Sequence, residues 1–443
     1  MRTLLLLILA VPLLAQDSLS LRDAVQVALR ENKAVAASSA GMRASEARIE
    51  EARSGRLPKV NYSESFVRSD NPVFVFSSLL TQHQFGPENF NIGPLNRPDS
   101  INNFQSVLSV DQPIYDAGQT RNAVNSADLS RELSAEEQRR TEMQVTVGVV
   151  RAYYGAVLAA ETLKSAEQAV RSAEADLQRA ESVRAAGMST DVDVLSIRVH
   201  LAAVTEQRIQ RAADLEVARS GLNDALGLPL DSPHTLSSSL TPLDLPELEL
   251  VSLEHNASTT RPEARSSHLA VSLARTQADA AKSALLPEVG FHAAFEADRR
   301  QFINKGGANW LASIGLKWNL FNGNGDKARI EESAQWLERA HADEQRVDSA
   351  VRLEVRRAWA DLRAAVQRIE VAKAAVAEAD ESLRITQNRY EAGMSNVTDL
   401  LRNETAVLDS RTRYLAAVHD QRLAAATLEL AAGRLTPDSE VLN

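Results

Sequence analysis

Cysteine is absent from the 443 residues of this chain, and acidic residues outnumber basic ones, which gives a formal net charge of −10. The first absence excludes disulfides, thiol catalysis, cysteine-based metal sites and an acyl anchor on an N-terminal cysteine. The net negative charge argues against a nucleic-acid partner, because the sequence also contains no run or stripe of basic residues that could bind phosphates. Aromatic residues make up only 5% of the chain. Alanine, glutamate, arginine and leucine dominate instead, a composition typical of long helices.

Long apolar runs are also scarce. After the N-terminal segment, no stretch approaches the 18 or so uninterrupted apolar residues that predict a transmembrane helix. The N-terminal segment itself combines a basic Arg2 with an apolar run from Leu4 to Leu14 and a small Ala15. This pattern predicts a signal peptide over residues 1–15 and an exported protein. An anchoring helix is the alternative, but the run is short for a bilayer.

The chain contains an internal repeat. The sequence AGMS stands at 186–189 and again at 392–395, and position 393 lies 206 residues after position 187. At the same offset, RAY at 151–153 matches RAW at 357–359. The chain is therefore interpreted as a tandem duplication in which each copy holds one long helical hairpin closed at a glycine turn.

The hairpins are predicted to be coiled coils. Proline is absent from about 118 to 186, and a helix of that length spans about 100 Å. A seven-residue apolar spacing predicts a left-handed supercoil. The second copy shows it at Val355, Leu362, Ile369, Val376, Leu383 and Tyr390, and the first return helix at Leu195, Ala202 and Ile209.

Between the helices, the chain has segments with the period-2 alternation of strands. Residues 289–298 and 310–318 alternate well, whereas 60–68 and 104–111 alternate less well because Glu64 falls on the apolar face. Each segment has about the 9–11 residues that a tilted strand needs to cross a bilayer. Four strands cannot close a membrane barrel, so several chains would have to share one. Two surface hairpins on a water-soluble protein are the alternative.

These patterns predict the division of the chain. The expected segments are a signal peptide at 1–15, a first repeat at 16–228 with a β-hairpin at about 59–114 and a helical hairpin at about 118–227, a linker at 229–249, and a second repeat at 250–443 with a β-hairpin at about 288–320 and a helical hairpin at about 325–433. The first copy holds 23 extra residues, which fall in the polar loop 69–103.

No constellation of catalytic residues is apparent. The eight histidines are scattered without ligand spacing, so neither a metal nor another cofactor is expected. The run Gly323–Lys327 has the wrong spacing for a phosphate loop. Acidic residues at the hairpin turns, Asp191, Asp193 and Asp399, allow two interpretations. They favour a helix N-terminus, and they could also form a negative constriction where several chains meet.

Through these motifs and the order in which they occur, the chain resembles the TolC-type outer-membrane efflux channels. The shared features are the duplicated halves, the Leu-Pro joints at Pro58 and Pro287, the aromatic–Asp/Asn joints at 115–116 and 321–322, and the Ala-Gly tips followed by aspartate. The resemblance implies a mostly α fold, with tandem-duplicated coiled-coil hairpins forming a periplasmic tunnel. It also implies four strands per chain in the 12-stranded β-barrel of a homotrimer.

The resemblance further implies a function without catalysis. The trimer would be the passive exit duct of a tripartite efflux pump or type I secretion system, located in the outer membrane with a long periplasmic extension. A periplasmic adaptor protein would open its tip, and an inner-membrane pump would supply energy. Outer-membrane lipid is the remaining partner, and no nucleic acid is expected. Drug, metal and protein cargoes all remain open.

Several site residues are implied residue by residue. Asp399 matches an aspartate of the family's periplasmic aperture, and Arg402 stands where the family has a second one. Asp193 and Tyr390 match a pair that latches the closed hairpins, while Ser395 replaces the arginine of a neighbouring latch. The hairpin tips that would contact the adaptor are Gly187, Met188, Gly393 and Met394.

One alternative from another class is kept. An exported coiled-coil scaffold without a pore would explain the heptads and the export. It would not explain duplicated strands of bilayer length at matching places in the two copies.

Overall fold

A computed structural model describes residues 18–187, 189–244, 249–303 and 306–442 of the chain. The signal peptide expected at 1–15 lies outside these residues. In chain order the elements are β1 (Ser18–Leu19), α1 (Leu21–Glu31), α2 (Lys33–Arg53), β2 (Lys59–Ser69), α3 (Pro72–Thr81), α4 (Ile92–Asn96), β3 (Ile101–Tyr115), α5 (Gln119–Ala185), α6 (Asp191–Leu226), β4 (Thr235–Leu236), α7 (Leu250–Thr260), α8 (Pro262–Ser283), β5 (Glu288–Arg299), β6 (Gly307–Lys317), α9 (Gly325–Glu391) and α10 (Val397–Ala431).

The described residues form two compact units, each assembled from distant parts of the chain. The first takes in the described residues of 18–42, 134–267 and 344–442, and the second those of 43–133 and 268–343. The first unit contains the hairpin tips and the main apolar core. The second contains a four-stranded sheet.

The first unit is held by its helical hairpins. α5 and α9 have 67 residues each, about 100 Å at ~1.5 Å per residue. In α9 the heptad positions Val355, Leu362 and Ile369 are buried, as their spacing predicts. In α5 the buried seven-residue series consists of alanines instead, at 159, 166, 173 and 180. The first copy thus buries small side chains on a seven-residue spacing where the second buries valine, leucine and isoleucine.

The return helix α6 behaves differently. Its buried side chains near the tip are Val194, Ile197 and Val204, whereas Leu195 and Ile209 are 57% and 59% exposed. The apolar heptad stripe seen in the sequence therefore does not pack within the chain. It leaves an apolar surface on α6.

The linker between the copies is anchored by hydrogen bonds to the first unit. β4 pairs in parallel with β1 at the start of the described chain. The buried Tyr153 hydroxyl donates to the Leu19 carbonyl at 2.8 Å, and Gln421 exchanges two hydrogen bonds with the Leu243 backbone. The periodicity of the sequence did not predict this pairing.

The sheet of the second unit has the order β2-β3-β5-β6, and every pair is antiparallel. The two predicted hairpins are thus joined through β3 and β5. Because paired residues share a face, the register gives the sheet one mostly apolar and one mostly polar surface. The apolar face carries Val60, Tyr62, Phe66, Phe104, Leu108, Val110, Phe291, Ala293, Phe295, Trp310, Ile314 and Leu316.

The apolar face is open to the surroundings of the chain. Trp310, Ile314 and Leu316 are 80%, 71% and 66% exposed. Glu64 lies on this face, as the sequence indicates, and the structure supplies its partners. Arg299 binds it at 2.7 Å, and the Tyr62 hydroxyl donates to it at 2.8 Å.

The polar face carries a hydrogen-bonded network across the strands. Asn103 donates to Asp298, Gln105 donates to Glu296, and His292 lies 2.7 Å from Asp111. Polar groups are thus paired along one surface, while the opposite surface exposes large apolar side chains.

The loop 69–103 is more ordered than its composition predicts. Asn71 caps α3, accepting hydrogen bonds from the backbone N–H groups of Val73 and Phe74, and Pro72 occupies the first helical turn. Such a cap and an early proline are favourable helix starts. The loop therefore contains a helix of 10 residues, followed by the short α4.

One helix among the described residues has the length and composition to cross a membrane. It is α5, in which the qualifying 18-residue stretch is 56% buried inside the chain. A buried core helix satisfies the same test, so the observation does not establish a membrane-spanning helix.

Candidate functional site at the helical hairpin tips

The two hairpin turns share one backbone geometry. Gly187 and Gly393 adopt φ of 76° and 72°, a left-handed conformation that glycine adopts without the penalty of a Cβ. The N–H of Gly187 donates to the Arg184 carbonyl at 2.8 Å, and that of Gly393 to the Tyr390 carbonyl at 3.0 Å. This explains why the two turns in the repeat both contain glycine. Met188 lies outside the described residues, and Met394 is 65% exposed.

At the first tip, Asp193 is committed to the start of α6. Its Oδ2 accepts hydrogen bonds from the Thr190 hydroxyl at 2.8 Å, the Thr190 N–H at 3.1 Å and the Ser189 hydroxyl at 3.1 Å. In return, the Asp193 N–H donates to Thr190 Oγ1, which completes a capping box. The hydroxyl of Thr190, followed by its N–H, holds the pKa of Asp193 below the ordinary value.

At the second tip, the equivalent Asp399 is held loosely. Asn396 caps α10 by accepting the Asp399 N–H at 2.8 Å. The Asp399 carboxylate itself accepts only the Ser395 hydroxyl, at 3.4 Å, among the hydrogen bonds of the described residues. Its remaining acceptor positions are open to an outside donor or cation.

Tyr390 packs under the first tip rather than against solvent. It contacts the small cluster formed by Ala180, Val194, Ile197 and Val397, so the two hairpins meet around it. Burial raises the pKa of the Tyr390 phenol, and the charges of Asp193 and Asp176 add to that effect. Tyr390 and Asp193 share no hydrogen bond within the described part of the chain.

Arg402 is exposed on α10, in a shallow groove between α6 and α10. The groove encloses about 580 Å³ and is lined by Val192, Leu195, Ser196, Val199, Thr398, Leu401 and Thr405 together with Arg402. Arg402 makes no ion pair with any described residue of its own chain, and Asp399 is not within bonding distance of it.

A polar cluster above the tip was not predicted from the sequence. Asp176 of α5 and Glu404 of α10 are 3% and 9% exposed. His200 Nε2 of α6 lies 3.3 Å from Glu404 Oε2, and Arg179 donates to Asp176 at 2.9 Å. Glu391 of α9 lies 3.7 Å from Arg179. All four helices of the two hairpins contribute a charged or titratable group.

The buried carboxylates of this cluster do not titrate normally. Burial raises the pKa of Asp176 to about 7, and the hydrogen bond and charge of Glu404 act in the same direction. Burial also opposes ionisation of Glu404, but hydrogen bonds from His200 and Asp176 outweigh it and lower the pKa of Glu404. The raised pKa favours the protonated form of Asp176, in which its carboxyl can donate to Glu404. In the sequence, Asp176 occupies a position compatible with the heptad seam of α5. A charged residue at such a position is normally interpreted as part of a solvated face, so the buried cluster was missed.

Metal binding finds no support in the geometry of this part of the chain. Among the residues that the structure describes, no three His, Asp or Glu side chains are grouped closely enough to hold a metal ion.

Comparison with known proteins identifies the family. The model of the outer membrane efflux protein family matches residues 24–228 and 253–434, which is most of the chain and both copies of the repeat. This chain belongs to that family. Its location is therefore the outer membrane.

Characterised relatives agree with this assignment. Outer membrane efflux protein BepC of Brucella suis is 25% identical over 433 residues, covering 95% of this chain and 86% of BepC. Protein CyaE of Bordetella pertussis is 26% identical over 345 residues, covering 76% of this chain and 72% of CyaE. Alkaline protease secretion protein AprF of Pseudomonas aeruginosa is 24% identical, covering 86% of this chain and 78% of AprF.

Solved structures show the same fold. The CmeC outer membrane channel of Campylobacter jejuni superposes with a TM-score of 0.79 at 16% identity, covering 95% of this chain and 87% of CmeC. The MtrE outer membrane channel of Neisseria gonorrhoeae, in its open state, superposes with a TM-score of 0.75 at 17% identity, covering 93% and 88% of the two chains. The fold is thus that of an outer-membrane channel chain, with long helical hairpins and a small sheet.

Proposed function

We propose that three copies of this chain form an outer-membrane channel, the passive exit duct of an efflux pump or type I secretion system. The observation that carries the proposal is the four-stranded sheet, which has one exposed apolar face, one polar face and unpaired edges at β2 and β6. Open edges are not tolerated in lipid, so the sheet needs partners on both sides. Three copies supply 12 strands, enough to close a barrel around a polar lumen.

The helices support the same assembly. α6 leaves an apolar stripe exposed at Val192, Leu195, Val199 and Ile209. The spacing of this stripe follows the heptad period that packs one helix against another. A neighbouring copy would cover the stripe and continue the wall of the tunnel.

The segments expected from the sequence belong to this proposal. In it, residues 1–15 form the signal peptide, and residues 16–228 and 250–443 form the two repeats. Residues 229–249 form the linker between the repeats. Two relatives are named for efflux and for protease secretion. Their names support the proposal that this protein is an exit duct for a pump and that it is not itself an enzyme. A periplasmic adaptor and, through it, an inner-membrane pump are the proposed partners.

The hairpin tips are the proposed gate. Asp399 and Arg402 of each copy would meet their counterparts near the axis, with Ser395 beside Asp399 where the family has the arginine of a neighbouring latch. The adaptor would contact the turns at Gly187, Met188, Gly393 and Met394. Individual exposed polar pairs are worth roughly 0–1 kcal/mol, so adaptor docking can supply the free energy of opening.

The assembly is tested by outer-membrane fractionation, mild detergent extraction, light scattering and negative-stain imaging. The expected particle is a detergent-bound trimer with a stalk on the order of 100 Å. A water-soluble elongated monomer or dimer would refute the channel and favour an exported coiled-coil scaffold.

The gate is tested with Asp193→Ala combined with Tyr390→Phe, which removes the proposed latch. We expect cells carrying this variant to become more permeable to large antibiotics without any change in trimer yield. Tyr414→Phe, away from the tip, serves as the matched control. Unchanged permeability in an intact trimer would remove the latch from the proposal.

A further inference from the structure

The extra segment of the first β-hairpin lies on the polar face of the sheet. Gln82, directly after α3, is 2% exposed and donates to Asn103 Oδ1 at 2.8 Å and to the Asn102 carbonyl at 2.9 Å. Asn103 in turn donates to Asp298, which is fully buried. The hydrogen-bonded network of the polar face thus extends into the segment that follows α3.

A second contact fixes the end of α3 at the start of β6. Asn309 donates to the Thr81 carbonyl at 3.4 Å. A Cβ at Gly307 would lie 1.8 Å from the same carbonyl oxygen, so only glycine allows this approach. Contacts with β3, β5 and β6 together place α3 across the sheet rather than beside it.

The rest of the segment is tied to α3 by aromatic contacts. The rings of Phe76 and Phe85 lie 4.8 Å apart, and those of Phe85 and Phe90 meet edge-on at 5.3 Å. Such pairs add stability beyond the area that they bury. The segment is therefore a packed structure and not a free loop.

α3 turns an apolar side away from the sheet. Val75 and Ser78 are buried at 6% and 3% exposure, whereas Val73 and Leu80 are 78% and 53% exposed. Val73, Ser77 and Leu80 follow one another at helical spacing and so share one face. The second β-hairpin has no such insertion, because β5 and β6 are separated by only the short segment 300–306.

On the proposed function, the polar face of the sheet is the lumen of the barrel, so anything seated on that face lies inside the channel. The contacts of α3 are at the loop ends of the strands, opposite the ends that continue into α5 and α9. We propose that α3 from each copy narrows the outer mouth of the channel, with Val73, Ser77 and Leu80 lining the opening. The channel then has an apolar constriction at this end, separate from the gate at the helical tips, and it limits the size of the cargo that leaves.

The chain contains no cysteine, so a thiol introduced by substitution can be labelled without competition from native thiols. Ser313→Cys places a thiol on the polar face of β6, and Ile314→Cys places one on the apolar face. Intact cells are treated from outside with a small polar maleimide or with a bulky polyethylene-glycol maleimide. Arg300→Cys, in the exposed outer turn, is the matched control that both reagents reach.

The expected result is that the small reagent labels Ser313→Cys, while the bulky one labels it at least about tenfold more slowly than it labels Arg300→Cys. Replacing 72–99 with a short Gly-Ser turn should remove this difference. In the unaltered segment, the thiol of Leu80→Cys should react with the bulky reagent. In a double variant with Leu80→Cys and Ser313→Cys, this first reaction should then slow the labelling of the thiol at 313 by the small reagent. That second arm does not depend on the replacement variant folding.

The outcomes separate this inference from the proposed function. Equal labelling of Ser313→Cys by both reagents in the unaltered chain would overturn the constriction but leave the channel. Labelling of Ile314→Cys in place of Ser313→Cys by the small reagent would show that the polar face is not the lumen. That result would overturn both.

Discussion

The two hairpin tips have the same turn but hold their aspartates in different ways. At the first tip, three hydrogen bonds from Ser189 and Thr190 converge on one oxygen of Asp193. At the second tip, Asp399 receives a single 3.4 Å hydrogen bond from Ser395. The sequence positions correspond within the repeat, yet one carboxylate completes a helix cap and the other is left open.

This difference assigns separate roles to residues that a repeat alignment treats as equivalent. A carboxylate already satisfied by local donors gains little from an outside cation or amide. An unsatisfied carboxylate at an exposed turn remains available for one. Asp193 therefore stabilises the fold of its tip, while Asp399 is the better candidate for the aperture.

A second asymmetry lies one level above the tips. Asp176 of the first copy corresponds to Ser382 of the second, and Glu404 of the second corresponds to Arg198 of the first. Ser382 donates to Asn403, and Arg198 pairs with Glu181 on the surface. The buried acid pair thus occurs once per chain, where the two copies have diverged.

The largest effect is expected for cation binding at the tips. Asp399→Asn should weaken block of the channel by multivalent cations added from the periplasmic side by at least about tenfold, or ~1.4 kcal/mol. Asp193→Asn should weaken it far less, because its carboxylate is already occupied by Thr190. Single-channel recordings of the purified trimer measure both. Equal losses would abolish the distinction between the tips.

Asp176→Asn should change the pH dependence of stability. The pKa of Asp176 is raised from 3.8 to about 7 in the folded chain, so the folded state retains a proton that the unfolded state loses. Its stabilising contribution is complete below about pH 4 and is lost as the pH rises through about 7. Asparagine can donate to Glu404 at every pH.

The variant should therefore melt at a higher temperature than the original chain at pH 8, and the difference should shrink as the pH falls towards the unfolded-state pKa of 3.8. Calorimetry across this pH range measures the difference, with the neighbouring side chains of Arg179, His200, Tyr390, Glu391 and Glu404 left unchanged. Glu174→Gln, an exposed acid on the same helix, is the control. Parallel melting curves for Asp176→Asn and the original chain would contradict the raised pKa.

Removal of the two helix caps should have a smaller and unequal effect. Thr190→Ala removes the hydroxyl that accepts the Asp193 N–H and donates to the Asp193 carboxylate, and it leaves only the bond from the backbone N–H of residue 190. We expect it to destabilise the first turn of α6 by about 1 kcal/mol or more. Asn396→Ala removes one acceptor at α10 and should cost less. Hydrogen exchange of the amides in each first turn reports the difference locally. Thr190→Ser, which keeps the hydroxyl, should restore protection.

Arg402→Ala should have the smallest effect on stability, within about 0.5 kcal/mol. Its side chain is exposed and forms no ion pair with the described part of its own chain. A change in channel opening without a change in melting temperature would place its partner on another molecule. A clear drop in melting temperature would instead show a structural contact.

Local interactions allowed much of this fold to be predicted from the sequence. The glycine turns required a left-handed backbone, the heptads placed Val355, Leu362 and Ile369 in a helical seam, and alternation at 289–298 gave a two-faced strand. Each of these depends on residues separated by only a few positions. Their physical cause is backbone sterics and the periods of helix and strand.

The tertiary structure decided what depends on residues far apart in the chain. These contacts join the two hairpins through β3 and β5, seat α3 on the polar face and bring Asp176 to Glu404. The paired residues Phe104 and Arg299 are 299 − 104 = 195 positions apart, and Asp176 and Glu404 are 404 − 176 = 228 positions apart. Periodicity states which face of an element is apolar, but not which distant element will cover it. For the same reason, the sequence could place Asp193 and Asp399 at equivalent positions, while only the folded tips distinguish a cap from an open carboxylate.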